Sequence, residues 1–236
     1  MGCICGNPSQ KSQRSEKKSM IAKPKTDRTT ASAADEFIWD TTEHTQVHHF
    51  IRAPIMALLH RHRCKNILDL GCGNGAFTGL LAAAGFDVTG VDHSLSGVGI
   101  AQQQHAGLTF AQHDITNLLD SAYLGQFDAV VSIEVIEHLL LPRKLMENAI
   151  GALKPGGLFV LTTPYHGYWK NLALAITNKF DNHWHPLRDY GHVKFFSKAT
   201  ILSLFAEYGF ESIEFQTVGR IPALARSMII SGIKSQ

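Results

Sequence analysis

Cysteine is scarce in this 236-residue chain: Cys3, Cys5, Cys64 and Cys72 are the four, and their spacing fits neither a disulfide framework nor a zinc cluster. A reducing, cytoplasmic setting is the reading that follows. No apolar run approaches the roughly 20 residues of a membrane-spanning helix, and no secretory apolar segment stands near the start. An excess of one charge is missing as well. The formal net charge of +2 is too near balance to imply a nucleic-acid partner by itself. After Ile4, residues 1–34 contain almost no large apolar side chains, so this stretch cannot offset the entropy of ordering and reads as a disordered basic tail.

The tail opens with Met1-Gly2-Cys3-Ile4-Cys5, the pattern of a dual acylation signal. Gly2 would take myristate and Cys3 or Cys5 palmitate, with Lys11, Arg14, Lys17 and Lys18 nearby, giving peripheral membrane contact. Gly6 departs from the Ser or Thr expected there. A solvated tail and a mitochondrial transit peptide are the alternatives, and Glu16 and Asp27 count against the second.

What remains, residues 35–236, suits one α/β domain, and the 44% hydrophobic content is ordinary for a folded one. Apolar residues recur at helical spacing from Phe37 to His62, predicting one or two helices that cover a ligand pocket. Strands then alternate with helices: strands at 66–70, 87–91, 108–112, 127–132 and 157–163, and helices at 75–84, 95–105 and 141–153. Such alternation predicts a parallel sheet with helices on both faces. Lys154-Pro155-Gly156-Gly157 reads as the stop after the last of these helices. Residues 164–195 lack clear periodicity and carry Tyr165, His166, Tyr168, Trp169 and Trp184, which predicts an insertion or lid. A helix at 197–208 and strands at 211–218 and 226–233 close the chain.

The densest local signal is Ile67-Leu68-Asp69-Leu70-Gly71-Cys72-Gly73-Asn74-Gly75, an apolar strand running into a loop with glycines at alternate positions. Glycine there lets backbone approach a ligand closely. Asp92 closes the next strand, where a carboxylate in a doubly wound sheet can accept hydrogen bonds from both ribose hydroxyls. A dinucleotide site would read Gly-x-Gly-x-x-Gly, but position 76 is Ala, which disfavours a nicotinamide oxidoreductase.

The Asp-x-Gly-x-Gly-x-Gly form resembles motif I of class I S-adenosylmethionine (SAM) methyltransferases, whose ligand carries no phosphate. That resemblance implies a Rossmann-like, seven-stranded, mostly parallel sheet with an antiparallel last strand. From Val47 to Phe215 the chain looks more narrowly like the ubiquinone-biosynthesis O-methyltransferases. The correspondence implies cofactor contacts from Arg52, Asp69, Gly71, Gly73, Asp92, Asp114 and Ile133, with Asp114 against the adenine amine. An Asp that merely caps its turn at Thr116 is the other reading of Asp114. Thr163-Pro164-Tyr165-His166 departs from that group's Leu-Asn-Arg-Asn, which leaves the acceptor open.

Ser132-Ile133-Glu134-Val135-Ile136-Glu137-His138 places Glu134, Glu137 and His138 at i, i+3 and i+4, one face of a helix. With His192 as a fourth ligand they could hold Mg²⁺ or Zn²⁺ as Lewis acid and template. The same pattern also occurs as a loop brace without metal, and His138 or His192 would then be a general base, or a bystander bonded to backbone. The expected reaction is transfer of methyl from SAM to a small-molecule hydroxyl, of catechol or quinone-precursor type. Amine acceptors, RNA 2′-hydroxyls and a non-catalytic adaptor are the alternatives. Methyl transfer from a sulfonium chiefly needs the acceptor held in line, about 3 Å from the methyl.

Overall fold

The computed structural model describes residues 2, 38–39, 47–184, 187–219, 221 and 224–236. Apart from Gly2 the basic tail, with Cys3 and Cys5, lies outside the described residues, as do residues 37 and 40–46 of the helical stretch expected from Phe37. The first helix, α1 (His48–Arg61), buries Ile51, Ile55, Leu58 and Leu59, an i, i+4, i+7, i+8 stripe. Then follow β1 (Asn66–Leu70), α2 (Ala76–Ala83), β2 (Asp87–Asp92), α3 (Leu95–Gln104), β3 (Thr109–Gln112), β4 (Phe127–Ile133) and α4 (Pro142–Ala152). The chain continues through β5 (Leu153–Pro164), α5 (Tyr168–Ile176), α6 (Phe180–Trp184), α7 (Lys198–Glu207), β6 (Phe210–Val218) and β7 (Ser227–Lys234).

Among the described residues the seven strands form one sheet in the order β3-β2-β1-β4-β5-β7-β6. The strands from β1 to β5 pair in parallel, whereas β7 runs antiparallel between β5 and β6. Strand order reverses between β1 and β4, and the carboxyl ends there border a crevice, the usual ligand position in an open α/β sheet. No helix among the described residues is long and apolar enough to cross a membrane.

Two elements differ from expectation. Lys154-Pro155-Gly156-Gly157 lies inside β5 rather than before it, because Leu153 already pairs with Phe127. A register shift before the Ala129–Leu158 pair then absorbs the turn residues. Residues 164–195 contain two helices, α5 and α6. No residue of α5 is buried, and Tyr168, Trp169 and Ile176 stand exposed. A helix carried by the propensity of Leu172-Ala173-Leu174-Ala175 need not show the burial periodicity that marks a core-facing one.

Alternation along the strands divides the core between the two faces of the sheet. Leu68, Leu70, Val130, Phe159 and Leu161 meet Leu145, Met146, Ile201 and Phe205 from α4 and α7. Ile67, Ala129, Val131, Leu158 and Val160 meet Ile51, Ile55, Leu59, Phe77 and Leu81 from α1 and α2. Phe159 is fully buried, stacked on Phe205 at 5.2 Å between ring centres and 5.5 Å from Phe210. Phe159→Ala is therefore expected to lose roughly 3–5 kcal/mol of stability by urea unfolding. A loss under about 1 kcal/mol would mean this face is not close-packed.

Candidate functional site

Two groups of side chains gather at the carboxyl ends of the central strands. The first is built on the glycine loop between β1 and α2. Gly71 has φ +91°, and a Cβ there would collide with Cγ2 of Val135, so the loop lies against the turn that follows β4. Gly73 has φ +53°, in the left-handed region, and its missing Cβ is replaced by the ring of Trp39. The Gly73 N–H donates to Oδ2 of Asp92 at 2.7 Å, and the Ser94 N–H donates to Oδ1 at 2.8 Å. Asp92 thus ties the ends of β1 and β2 together.

Beneath the loop, Asp69 is buried in β1, and its Oδ2 accepts from Thr78 Oγ1 at 2.6 Å. Its Oδ1 is buried without a hydrogen-bond partner among the described residues. Desolvation raises the Asp69 carboxyl to about 7, and the Thr78 hydrogen bond only partly opposes this.

The second group forms where β4 ends. Glu134 takes φ +54°, a conformation that costs a non-glycine residue about 1–3 kcal/mol. Its N–H donates to Thr162, and its Oε1 accepts from Ser227 Oγ at 2.6 Å. The short 3₁₀ turn Ile136–His138 follows. The Glu137 carbonyl accepts from the Val193 and Lys194 N–H groups, drawing the His192 segment against this turn. Oε2 of the buried Glu137 accepts from Thr163 Oγ1 at 2.9 Å, while Oε1 has no hydrogen-bond partner among the described residues. That oxygen stands 3.9 Å from His192 Nε2.

Desolvation, reinforced by the nearby Glu134, pushes the Glu137 carboxyl well above the ordinary range. Nδ1 of His138 lies 3.0 Å from the Tyr190 carbonyl and 3.2 Å from that of Gly191. Carbonyls only accept, so Nδ1 carries the proton and the neutral ring presents its lone pair at Nε2. Desolvation holds the His138 pKa below 6.5. The His138 and His192 rings meet edge-on at 4.8 Å. One ligand atom from each of Glu137, His138 and His192 lies within 4.8 Å of the others.

Of the residues singled out in the sequence, Asp69, Gly71, Gly73 and Asp92 gather at the loop, and Glu137, His138 and His192 beside the β4 end. The shared helical face expected for Glu134, Glu137 and His138 does not form, because the positive φ at Glu134 breaks the backbone before the 3₁₀ turn. Glu134 instead turns to Ser227, outside the three-residue group. Ile133 is nearly buried at the end of β4. Arg52 is exposed on α1 and makes none of the loop's hydrogen bonds. Asp114 Oδ1 accepts from Thr116 N and Oγ1 at 2.9 and 2.8 Å. Desolvation works against these bonds, but they prevail and hold Asp114 below the usual carboxylate range.

The sequence reading missed Trp39, Thr78, Thr163 and Ser227. Only Trp39 carried a local signal, a large aromatic two residues after Phe37 and ahead of the first helix. The others are hydroxyls brought in by packing.

Asp69 sets a pH dependence. Its folded pKa of about 7 exceeds the 3.8 of an ordinary Asp, so the native state holds the extra proton. Its contribution is complete below about 3.8 and is lost as pH rises through about 7. Stability of the wild type minus that of Asp69→Asn should therefore fall across this window, with a slope approaching about 1.4 kcal/mol per pH unit. Urea unfolding at several pH values tests this, and a flat difference contradicts it.

Against known proteins, a family model described as a methyltransferase domain matches residues 43–214. The ubiquinone biosynthesis O-methyltransferase of Rickettsia akari (strain Hartford) is 30% identical over 180 residues, 74% of this chain and 70% of that protein. The protein of the same name from Coxiella burnetii (strain Dugway 5J108-111) is 35% identical over 103 residues, 42% of this chain. The chain spans 43% of that relative's length. Among solved structures, magnesium protoporphyrin IX methyltransferase from Synechocystis PCC 6803, with bound SAH (S-adenosylhomocysteine), shares the fold at TM-score 0.59 and 21% identity. That match covers 78% of this chain and 81% of the other. With the model match covering most of the residues that build the sheet, the chain belongs to the methyltransferase domain family.

Proposed function

We propose that this protein transfers a methyl group from SAM to a hydroxyl oxygen of a small-molecule acceptor. The observation that carries the reading is the convergence of the Asp92-bound glycine loop and the Glu137–His138–His192 group at the carboxyl ends of the central strands. The residues present fit the cofactor. Gly71 and Gly73 leave the loop backbone without side chains of its own, Val135 and Trp39 lying against them, and the buried Asp69 Oδ1 is an acceptor with no hydrogen-bond partner among the described residues. A carboxylate offers roughly four acceptor positions, so the two backbone bonds to Asp92 do not preclude bonds from ribose hydroxyls. When bound, SAM supplies an already activated sulfonium methyl.

The chain's own residues then have to place the acceptor oxygen in line and manage its proton. His138, with Nδ1–H directed to backbone carbonyls and Nε2 left basic, accepts that proton in this reading. Glu137, His138 and His192 would also hold a divalent cation, which would supply Lewis acidity at the acceptor. Two imidazoles and one carboxylate suit Zn²⁺ better than Mg²⁺, which prefers oxygen ligands. The names of the Rickettsia and Coxiella relatives favour a hydroxylated quinone precursor over an amine or an RNA acceptor.

Calorimetric titration with SAH tests the cofactor assignment. Asp92→Ala should weaken binding by about 1.5–3 kcal/mol if it holds both ribose hydroxyls. Unchanged affinity removes Asp92 from the site. A screen of catechols, amines and RNA ends with isotopically labelled SAM tests the acceptor, and label entering only amines overturns the oxygen assignment. EDTA should abolish turnover, Zn²⁺ or Mg²⁺ should restore it, and Glu137→Ala should be equally damaging. Full turnover in chelator leaves His138 as base and removes the metal.

A further inference from the structure

Trp39 lies ahead of α1, and its backbone N–H donates to Ser96 Oγ at 3.1 Å. Its half-buried indole lies over two glycines, Gly73 and Gly97. A Cβ at Gly73 would collide with Cζ2 of Trp39 and stand 3.0 Å from Cε2, and a Cβ at Gly97 would stand 2.8 Å from Cδ1. The same Gly97 Cβ would lie 2.8 Å from the Gly73 carbonyl oxygen, so the ring covers the seam where the glycine loop meets the start of α3.

The polar contacts beneath the ring close a circuit. Ser96 Oγ is 2.9 Å from Ser94 Oγ, which accepts from the Gly97 N–H at 3.1 Å. Ser94 N–H donates to one oxygen of Asp92, and Gly73 N–H donates to the other. The indole on Gly73 then completes the path back to Trp39. Each half of this circuit constrains the other: the ring limits the loop's freedom to lift off α3, and the serines fix the backbone that carries the ring.

We infer that Trp39 is a positioning residue of the nucleoside site, clamping Gly73 onto the start of α3 so that the Asp92 carboxylate stays oriented for a ribose. The inference rests on the reading of Asp92 as the ribose acceptor. Removal of a tryptophan that served only to fill a core would lower stability without selectively changing nucleoside affinity. Here the surfaces under the ring are two glycines of the cofactor loop and helix, both without a Cβ where the ring lies. A clamp acting through Gly73 must report in the affinity for the nucleoside.

The test is titration of the full-length protein, wild type, W39A, W39F and D92A, with SAH, at a temperature well below each variant's melting point. W39A is expected to weaken SAH binding five-fold or more, and W39F, which keeps a flat ring over the seam, to stay within three-fold of wild type. W39A within five-fold of wild type overturns the inference. Indole fluorescence supplies a second reading should W39A fail to fold. SAH should change the wild-type emission, and that change should be lost in W39F, which retains Trp169 and Trp184. An undiminished change in W39F overturns the inference. D92A separates the two levels: unaltered affinity in D92A fails the ribose assignment itself, whereas weakened D92A beside unaffected W39A fails the clamp alone.

Discussion

The structure depends on the carboxylate of Asp92 standing between two adjacent strand ends. With one oxygen it accepts from Gly73 and with the other from Ser94, so the loop after β1 and the turn after β2 form one rigid lip. Both bonds run from backbone N–H groups to one carboxylate, so the two strand ends share a single anchor. The glycines of this loop make room for neighbouring side chains. At Gly73 the backbone is left-handed and a ring occupies the place of a Cβ, while at Gly71 the space is taken by Val135 from the end of β4. That second contact makes the loop and the turn after β4 parts of one assembly.

The turn after β4 follows a different physical logic. Glu137 is held almost fully buried by a hydroxyl and by its own backbone, with one oxygen left without a hydrogen bond among the described residues. An unsatisfied buried carboxylate oxygen is costly, and the high carboxyl pKa expresses that cost as retention of a proton. A cation or an acceptor proton placed there would relieve it. His138 is arranged in the opposite sense, its ring orientation and tautomer set by the carbonyls of Tyr190 and Gly191. The His192 segment approaches because two of its neighbours, Val193 and Lys194, bond to the Glu137 carbonyl. A proton-retaining acid and a neutral base are thus kept side by side by backbone contacts rather than by an ion pair.

Much of the sheet was legible from period and punctuation. The strand at 66–70 and its alternation with the helices that follow are local patterns with one dominant solution, whereas the antiparallel last strand was implied by the resemblance to class I methyltransferases. The helix α5 within 164–195 was not legible, since it buries none of its residues and so carries no core-facing imprint. The start of β5 was misread because Pro155 and two glycines ordinarily end structure, whereas pairing of Leu153 with Phe127 extends the ladder past them. At the site, the alternate glycines and the strand-end Asp92 could be picked out at once, because few backbone arrangements need those residues at that spacing. Glu134 could not be placed, because i, i+3, i+4 spacing defines a face only if the backbone is helical throughout, and here it is not.

What the sequence determined by itself was the set of elements and the chemistry available at their ends: which strands exist, where glycines make room, which carboxylates and imidazoles lie at strand termini. Period and residue type are local properties, and hydrophobic burial converts them into a sheet with little ambiguity. Tertiary structure alone decided which of those groups meet. Trp39 lies 34 residues from Gly73 in the chain, and Ser227 lies 93 from Glu134, yet each pair is in contact in the fold. Orientation, tautomer and protonation depend on neighbours brought together across the sheet, and desolvation at those junctions is a property of packing that no single stretch of sequence contains.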